Sequence, residues 1–497
     1  AAGAVLGRVA EVDDDVALPA HLHVQAGLLL IDDDLPALAR VDEADLWRAL
    51  CPNPAGLVGL PPNACAYRPP RPGLLARRGQ VMARSQETYY VAPPTIVRGW
   101  RQFLIDQDGR SYLDAINNVA HLGHCHPAVA RASDRQTRKL TTNNRFLYDV
   151  MVAYAERLTA LLPDPLRVVY FCSSGSEAND LAFRLARAHS GRQDILTVSG
   201  AYHGNTTLTN EAGTSLLDNP EGSTPPAHIH PIAQPNLYRG PYGAGDPDAA
   251  RKYAADAARV IDDCATNGRP IGVFIAEALL GSPGAVLPPE GWLAQVYDLA
   301  RAAGAVCIAD EVQVGFGRMG SHFWAFEMAG VQPDIVTLGK MIGNGYPLSA
   351  VVTTPAVSES FRRQATYFST YGGNPVACAV GLAVLDVIRD EGLQARAADV
   401  GAHFKRGLEA VAEERALIGA VNGYGMYLGV ELVRDRVTKA PAAAEAMWVA
   451  ERMRERGVIV YPTGDYYNIL KIKPPLAFSR ADADFFCEQL LTVLESL

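Results

Sequence analysis

Long apolar runs are missing from this chain of 497 residues. None approaches the ~20 residues that a membrane-spanning helix needs, and "AGLLLI" (26–31) is far too short. No membrane contact is expected, and the expected location is cytoplasmic. Paired cysteines are missing as well. The eight cysteines, Cys51, Cys65, Cys125, Cys172, Cys264, Cys307, Cys378 and Cys487, are scattered without a CxxC. That argues against a disulfide scaffold or a zinc module and for a reduced cytosolic protein. Positive charge is not in excess. With 45 Lys and Arg against 54 Asp and Glu the net charge is −9, which argues against nucleic acid as a main partner. Nothing after Ala1 reads as a signal peptide, so the chain is expected to start inside a longer product or to be trimmed. There is no internal repeat.

What is present is ordinary for a globular protein: 48% hydrophobic and 20% charged residues. The length exceeds one compact core, so two or more domains are expected. Residues 1–80 carry the acidic runs "EVDDDV" (11–16) and "IDDD" (31–34), then a Pro-rich linker, "PPNACAYRPPRPG" (61–73). From about residue 84 the texture changes. "RVVYF" (167–171), "DILTV" (194–198), "IGVFIA" (271–276), "AVCIA" (305–309) and "DIVTL" (334–338) read as strands. Amphipathic segments lie between several of them. In "EANDLAFRLARAH" (177–189), Ala178, Leu181, Ala182, Leu185 and Ala186 follow helical spacing. The alternation predicts an α/β domain with a mostly parallel sheet. From about 376 helices with a few short strands predict a smaller α+β domain.

Ligands of open α/β sheets bind beyond the carboxyl ends of the strands. Those ends carry "SSGSEAND" (173–180), "AYHG" (201–204), Glu277, "DEVQVGFGR" (310–318) and "GK" (339–340). Ser174, Gly175 and Ser176 sit where a helix begins. Free amides and two hydroxyls make an anion site there, although a plain helix cap is the competing reading. Add an acid at Asp310, an aromatic at Tyr202 and a lysine ending an apolar strand. The set fits pyridoxal 5′-phosphate: Lys340 as the Schiff-base residue, Asp310 on the pyridine nitrogen. The glycines around Lys340 let the backbone come close and the amine swing.

These residues resemble a known family. Residues ~85–497 are similar to the class III aminotransferases of PLP fold type I. The motifs "YLDAINNVAHLGHCHP" (112–127), "SSGSEANDLA" (173–182), "ADEVQVGFGR" (309–318), "LGKMIGNGYP" (338–347) and "STYGGNPVACA" (369–379) carry the likeness. The resemblance implies a mostly parallel sheet with helices on both faces plus a smaller α+β domain. Its implied boundaries are 81–130 for the N-terminal part of the small domain, 131–375 for the large cofactor domain and 376–497 for the C-terminal small domain. It implies that Gly175 and Ser176 bind the cofactor phosphate. Tyr202 and Val312 cover the two ring faces, Gln313 approaches the ring hydroxyl, and Glu277 and His203 orient the site. Thr370 reaches the phosphate of the other subunit's cofactor. A homodimer with shared active sites follows, or a tetramer built from two of them. Residues 1–80 resemble the tail of a lysostaphin-type metallopeptidase-like domain, where His21 and His23 form an HxH without the rest of a metal site. No bound metal is expected.

Within the family, "DAINNVAHLGHCHP", "TNNRFLYD" (142–149), "TYGGNP" and "NILKIKPPL" (468–476) resemble the ethanolamine-phosphate and 5-phosphohydroxylysine phospho-lyases. Family aminotransferases carry an arginine three residues before "PPL" that clamps a carboxylate, and a glutamate that masks it. This chain has Lys471 and Ser282 at those places. Lysine is a point charge suited to phosphate. Lys471 and Lys473, two apart, share one side of a strand. They make either a substrate-phosphate patch or a solvated face. Arg318 is a further phosphate candidate. The expected activity is elimination of phosphate from a small phosphorylated amine, ethanolamine phosphate first. The alternative is amino transfer between an amine and a 2-oxo acid.

Overall fold

The computed structural model describes residues 73–497, so His21, His23 and the acidic runs lie outside the described residues. The described chain divides into two units: 73–98 with 104–112, and 99–103 with 113–497. Three short strands, β1 (Ile96–Trp100), β2 (Phe103–Asp106) and β3 (Ser111–Asp114), contribute residues to both. The smaller unit holds a helix, Leu74–Val81, and a turn fixed by Asp106. The Asp106 carboxylate accepts from the amides of Asp108 and Arg110 and from the Tyr112 hydroxyl, each at 2.9 Å.

The larger unit is built on a seven-stranded sheet. Its strands are β4 (Val168–Cys172), β5 (Asp194–Val198), β6 (Ile229–Ile232), β7 (Ile271–Ala276), β8 (Val306–Asp310), β9 (Ile335–Leu338) and β10 (Ser349–Thr353). Their order is β4-β10-β9-β8-β7-β5-β6. Only β10 runs antiparallel, against both β4 and β9. Strands β7 to β10 are buried at every residue, which is why they read as unbroken apolar runs. The two faces are covered separately, because side chains alternate along a strand. Ile195 of β5 packs with the helix Gly175–Ser190, whereas Leu196 and Val198 pack with the helices Ala249–Thr266 and Trp292–Ala302.

The helix Gly175–Ser190 buries Ala178, Leu181, Ala182, Leu185 and Ala186, the stripe that its spacing predicts. Ser174 caps its start and Gly191, at φ 69°, turns the chain out of it.

A second sheet follows. Its strands are β11 (Ile418–Tyr424), β12 (Tyr427–Asp435), β13 (Ala440–Pro441), β15 (Tyr461–Thr463) and β16 (Ile469–Ile472), in the antiparallel order β11-β12-β16-β15 with β13 on β12. A short strand before β15, β14 (Val458–Ile459), pairs in parallel with Leu113 and Asp114. Register sets Lys471 of β16 between Gly429 and Tyr461. The loop after β7 lies against this sheet so closely that a Cβ at Gly429 would sit 2.5 Å from the Gly284 carbonyl oxygen.

Candidate active site

The carboxyl ends of β4, β5, β7, β8 and β9 point the same way. They bring Ser174–Ser176, Tyr202, Glu277, Asp310 and Lys340 to one edge of the sheet. Gly339 is extended, and a Cβ on it would lie 3.2 Å from the Gly175 Cα and from Val312 Cγ1. A Cβ on Gly175 would lie 2.9 Å from the same Val312 methyl. Two glycines and a valine thus form a closely packed floor next to the lysine. Lys340 itself has φ 37°, and Asn344, at φ 44°, ends the short helical turn Lys340–Gly343. Such backbone costs ~1–3 kcal/mol per residue and collects at functional sites. Asn344 fixes it by accepting from the Leu122 amide at 2.8 Å and donating to the Gly123 carbonyl at 3.1 Å. The "GHCHP" segment therefore serves as a brace.

Asp310 is the most heavily bonded group at the edge. Its Oδ2 accepts from His203 Nδ1 and from Asn179 Nδ2, both at 2.8 Å, and its Oδ1 from the Val312 amide at 3.1 Å. Burial alone raises this carboxyl, but the donors, His203 foremost, outweigh it and hold the group below its ordinary value. A permanent buried anion results. Glu277 goes the other way. Burial and the neighbouring Asp310 raise it, against the Gly281 amide that donates to it at 2.8 Å. Burial lowers the Lys340 amine, while Asp310, Glu277 and Asp218 pull it back up.

At the helix start the Ser174 hydroxyl accepts from the Glu177 amide at 3.2 Å, so it serves as the cap. The amides of Gly175 and Ser176, in the first turn, have no acceptor within the helix. The Ser176 hydroxyl accepts from the Asn205 amide at 3.2 Å, and a Cβ on Gly204 would lie 2.8 Å from the Ser176 Cα. Backbone amides, a hydroxyl and a helix dipole converge there on space reserved by glycines.

Burial and partners sort the remaining candidates. Tyr202 is half-buried and Val312 buried. Lys473 is buried, and its ammonium donates to Gln313 Oε1 at 2.9 Å, an oxygen that also accepts from Asn118 at 3.3 Å. Lys471 is half-buried and has no hydrogen-bond or ion-pair partner among the described residues. Burial lowers both amines, and Lys340 lowers each further. The two amines are thus largely withdrawn from water and within electrostatic reach of Lys340. Arg318 does not join it. Its guanidinium donates to the carbonyls of Met426 and Pro474 at 2.9 and 2.8 Å and meets His121 at 3.1 Å. These partners make it a fixed strut between segments, unavailable to a ligand phosphate. Thr370 lies on the surface, apart from these contacts. Asn179, Asn118, Tyr427 and Asp218 were not singled out by sequence. Asn179 lies in a quoted motif, one helical turn into the helix on its inner side, and that placement was the available signal.

The class-III aminotransferase profile matches residues 83–494. The chain belongs to the class-III aminotransferase family. An alanine–glyoxylate aminotransferase 2-like protein of Drosophila melanogaster is 44% identical over 82% of this chain and 84% of its own length. An ethanolamine-phosphate phospho-lyase homolog of Caenorhabditis elegans is 36% identical over 82% of this chain and 90% of its own. Among solved structures, a phospholyase from Arthrobacter in complex with phosphoethanolamine superposes with a TM-score of 0.81. It is 37% identical and covers 85% of this chain and 100% of its own. The fold is accordingly PLP fold type I, and pyridoxal 5′-phosphate is the cofactor of this class-III enzyme.

The residues present fit that cofactor. The glycine floor leaves room for a flat ring, and the amides at Gly175 and Ser176 suit its phosphate. Asp310 suits a protonated ring nitrogen, and Lys340 an aldehyde carbon. Three buried polar atoms around Asp310, on His203 (Nε2), Asn179 (Oδ1) and Thr337 (Oγ1), have no partner among the described residues, as expected where a polar ligand completes the site.

Proposed function

We propose that this class-III enzyme is a phospho-lyase that eliminates phosphate from a small phosphorylated amine, ethanolamine phosphate first. The observation carrying this reading is the pair Lys471 and Lys473, desolvated, within electrostatic reach of Lys340 and lacking a carboxylate ion-pair partner among the described residues. Burial disfavours the charged form of both amines, and an anionic neighbour favours it, so a strongly anionic ligand group is their natural complement.

Bound pyridoxal 5′-phosphate supplies the electron sink that makes a proton on the substrate's nitrogen-bearing carbon removable. Asp310 keeps the ring-nitrogen proton in place. Lys340 would hold the cofactor, and its free amine would accept that carbon-bound proton. Its lowered basicity leaves more of it neutral for the task. Lys471 and Lys473 hold the phosphate and receive its charge as the carbon–oxygen bond breaks. Ethanolamine phosphate and water then give acetaldehyde, ammonia and inorganic phosphate. Ser282, at the mouth of the loop after β7, brings no charge to compete with the lysines.

Amino transfer is the second reading, and the 44% identity to an aminotransferase 2-like relative favours it. One experiment separates the two: ethanolamine phosphate is given to PLP-loaded protein without a 2-oxo acid. Catalytic phosphate release with equal acetaldehyde and ammonia is expected. No phosphate, with activity only when a 2-oxo acid is added, overturns the lyase reading.

We also propose a homodimer. An open groove of about 740 Å³ is lined by Arg145, Met151, Val152, Tyr367 and Phe368. Beside it Phe146, Leu147 and Tyr371 are exposed, and Tyr371 directly follows Thr370. Large apolar side chains gathered at one surface suit a second copy of the chain. A cytoplasmic location remains the reading drawn from the dispersed cysteines.

A further inference from the structure

We infer that Asp218 receives the ammonium of a zwitterionic phosphorylated amine, so that the substrate lies with its phosphate on Lys471 and Lys473 and its amine toward Lys340. This role rests on the phospho-lyase reading. It makes Asp218 a specificity-determining residue that no motif marks.

The turn carrying the carboxylate is held by three segments. It is tied to the loop after β5, because the amides of Thr214 and Ser215 donate to the Ala201 carbonyl at 2.8 and 3.0 Å, one residue before Tyr202. The Ser282 hydroxyl, in the loop after β7, donates to Asp218 Oδ2 at 2.6 Å. The Ser282 carbonyl in turn accepts from Thr463 at 3.3 Å, on β15, the strand beside Lys471. The Leu216 amide adds a bond at 2.9 Å to Asp465 just after β15.

A simpler account exists for part of this. Ser215 and Asp218 bond reciprocally, with hydroxyl to Oδ2 at 2.9 Å and Asp218 amide to hydroxyl at 3.3 Å, which closes an ordinary turn. That explains Ser215 but not Ser282. It also leaves Oδ1 unused: both hydroxyls bond Oδ2, and Oδ1 has no partner among the described residues. The residue stays exposed on the open side of the site. Its charge reaches Lys340, Lys471, Tyr202 and Tyr427. Among the described residues, the fully buried Tyr427 hydroxyl and the Lys471 ammonium have no hydrogen-bond partner. A carboxylate oxygen without a protein partner, tied through Ser282 and Thr463 to the strand beside Lys471, is complementary to a ligand carrying both charges.

The chemistry gives the arrangement a use. Lysines alone would hold any phosphate ester, including the inorganic phosphate product. A carboxylate beside them distinguishes the amine-bearing substrate from the product.

The test uses holoenzyme reduced with borohydride, in which Lys340 is capped and turnover blocked. Calorimetry measures binding of phosphoethanolamine and of ethyl phosphate, which lacks the ammonium. Asp218→Asn is expected to lose on the order of tenfold in affinity for phosphoethanolamine, with ethyl phosphate changed by less than about twofold. Ser282→Ala, which keeps the carboxylate but removes an anchor, is expected to lose less in the same sense. Parallel weakening of both ligands would mean that Asp218 serves the lysines or the fold, and overturns the role. So does no change in either. If Asp218→Asn binds both ligands as wild type does while wild-type holoenzyme releases phosphate, the role alone falls. If wild type neither releases phosphate nor binds either ester, the phospho-lyase reading falls and takes the role with it.

Discussion

A single carboxylate, Asp310, shows how much of this site is made by neighbours. Deep burial should make it a weaker acid, and three donors reverse the sign. His203 is the largest of them, at 2.8 Å. His203→Ala removes one charge-assisted hydrogen bond, an interaction of ~1.5–3 kcal/mol. The Asp310 carboxyl should rise toward its ordinary value and hold a protonated ring nitrogen less well. The expected result is cofactor affinity weaker by about tenfold or more, read by titrating PLP into cofactor-free protein. His203→Asn, which keeps a donor, should recover part of it. An unchanged affinity would show that Asn179 and the Val312 amide suffice.

At the scale of elements, strand ends were legible because strands buried on both faces must be continuous apolar runs, and what breaks the run marks the ligand edge. Hence the five expected strands appear within one residue of their observed bounds, and Asp310 and Lys340 could be picked out in advance. β6, with His230 and Pro231 inside "IHPI", gives no such signal. Contacts made across hundreds of residues were not legible. The bond from Lys473 to Gln313 spans 160 residues, and Asp218 meets Ser282 only because two loops converge. Arg318 shows the reverse case: its motif suggested a ligand contact, and packing uses it as a strut.

Glu311, just past β8, carries an element-scale prediction. It accepts from the Ala325 and Phe326 amides at 2.9 and 2.8 Å and so anchors a short helix, Ala325–Met328. Burial nevertheless pushes its carboxyl up to about 8. The folded chain then keeps a proton that the unfolded chain releases near 4.5, so this group's contribution to stability is complete below 4.5 and declines as pH rises toward about 8. Glu311→Gln removes that decline. It also sets an NH2 group against an amide donor, at a cost of ~1–3 kcal/mol. Urea midpoints of cofactor-free protein at pH 5 and pH 8.5 should differ less in the variant than in wild type, with the variant lower at pH 5.

For the whole molecule the proposed dimer gives the sharpest prediction. If Thr370 serves the partner's cofactor, Lys340→Ala and Thr370→Ala damage different halves of one site. Each variant alone should be impaired, Thr370→Ala most clearly at limiting cofactor. Random mixing of the two chains should restore about a quarter of wild-type activity, because half the dimers then hold one intact site. No recovery on refolding them together would argue that each chain works alone. Sedimentation should give about twice the 53.3 kDa of one chain.

The division of labour between the two sheets has a practical corollary. Groups suited to the cofactor come from the large sheet, whereas Lys471 comes from β16 and Lys473 from the residue just beyond it, near the end of the chain. On the proposed reading, selectivity rests on side chains encoded apart from Asp310 and Lys340. A combinatorial library at codons 218 and 471 would vary the groups proposed to select the substrate and spare Lys473, which is bonded to Gln313, making this pair the natural handle for turning the scaffold toward new amines.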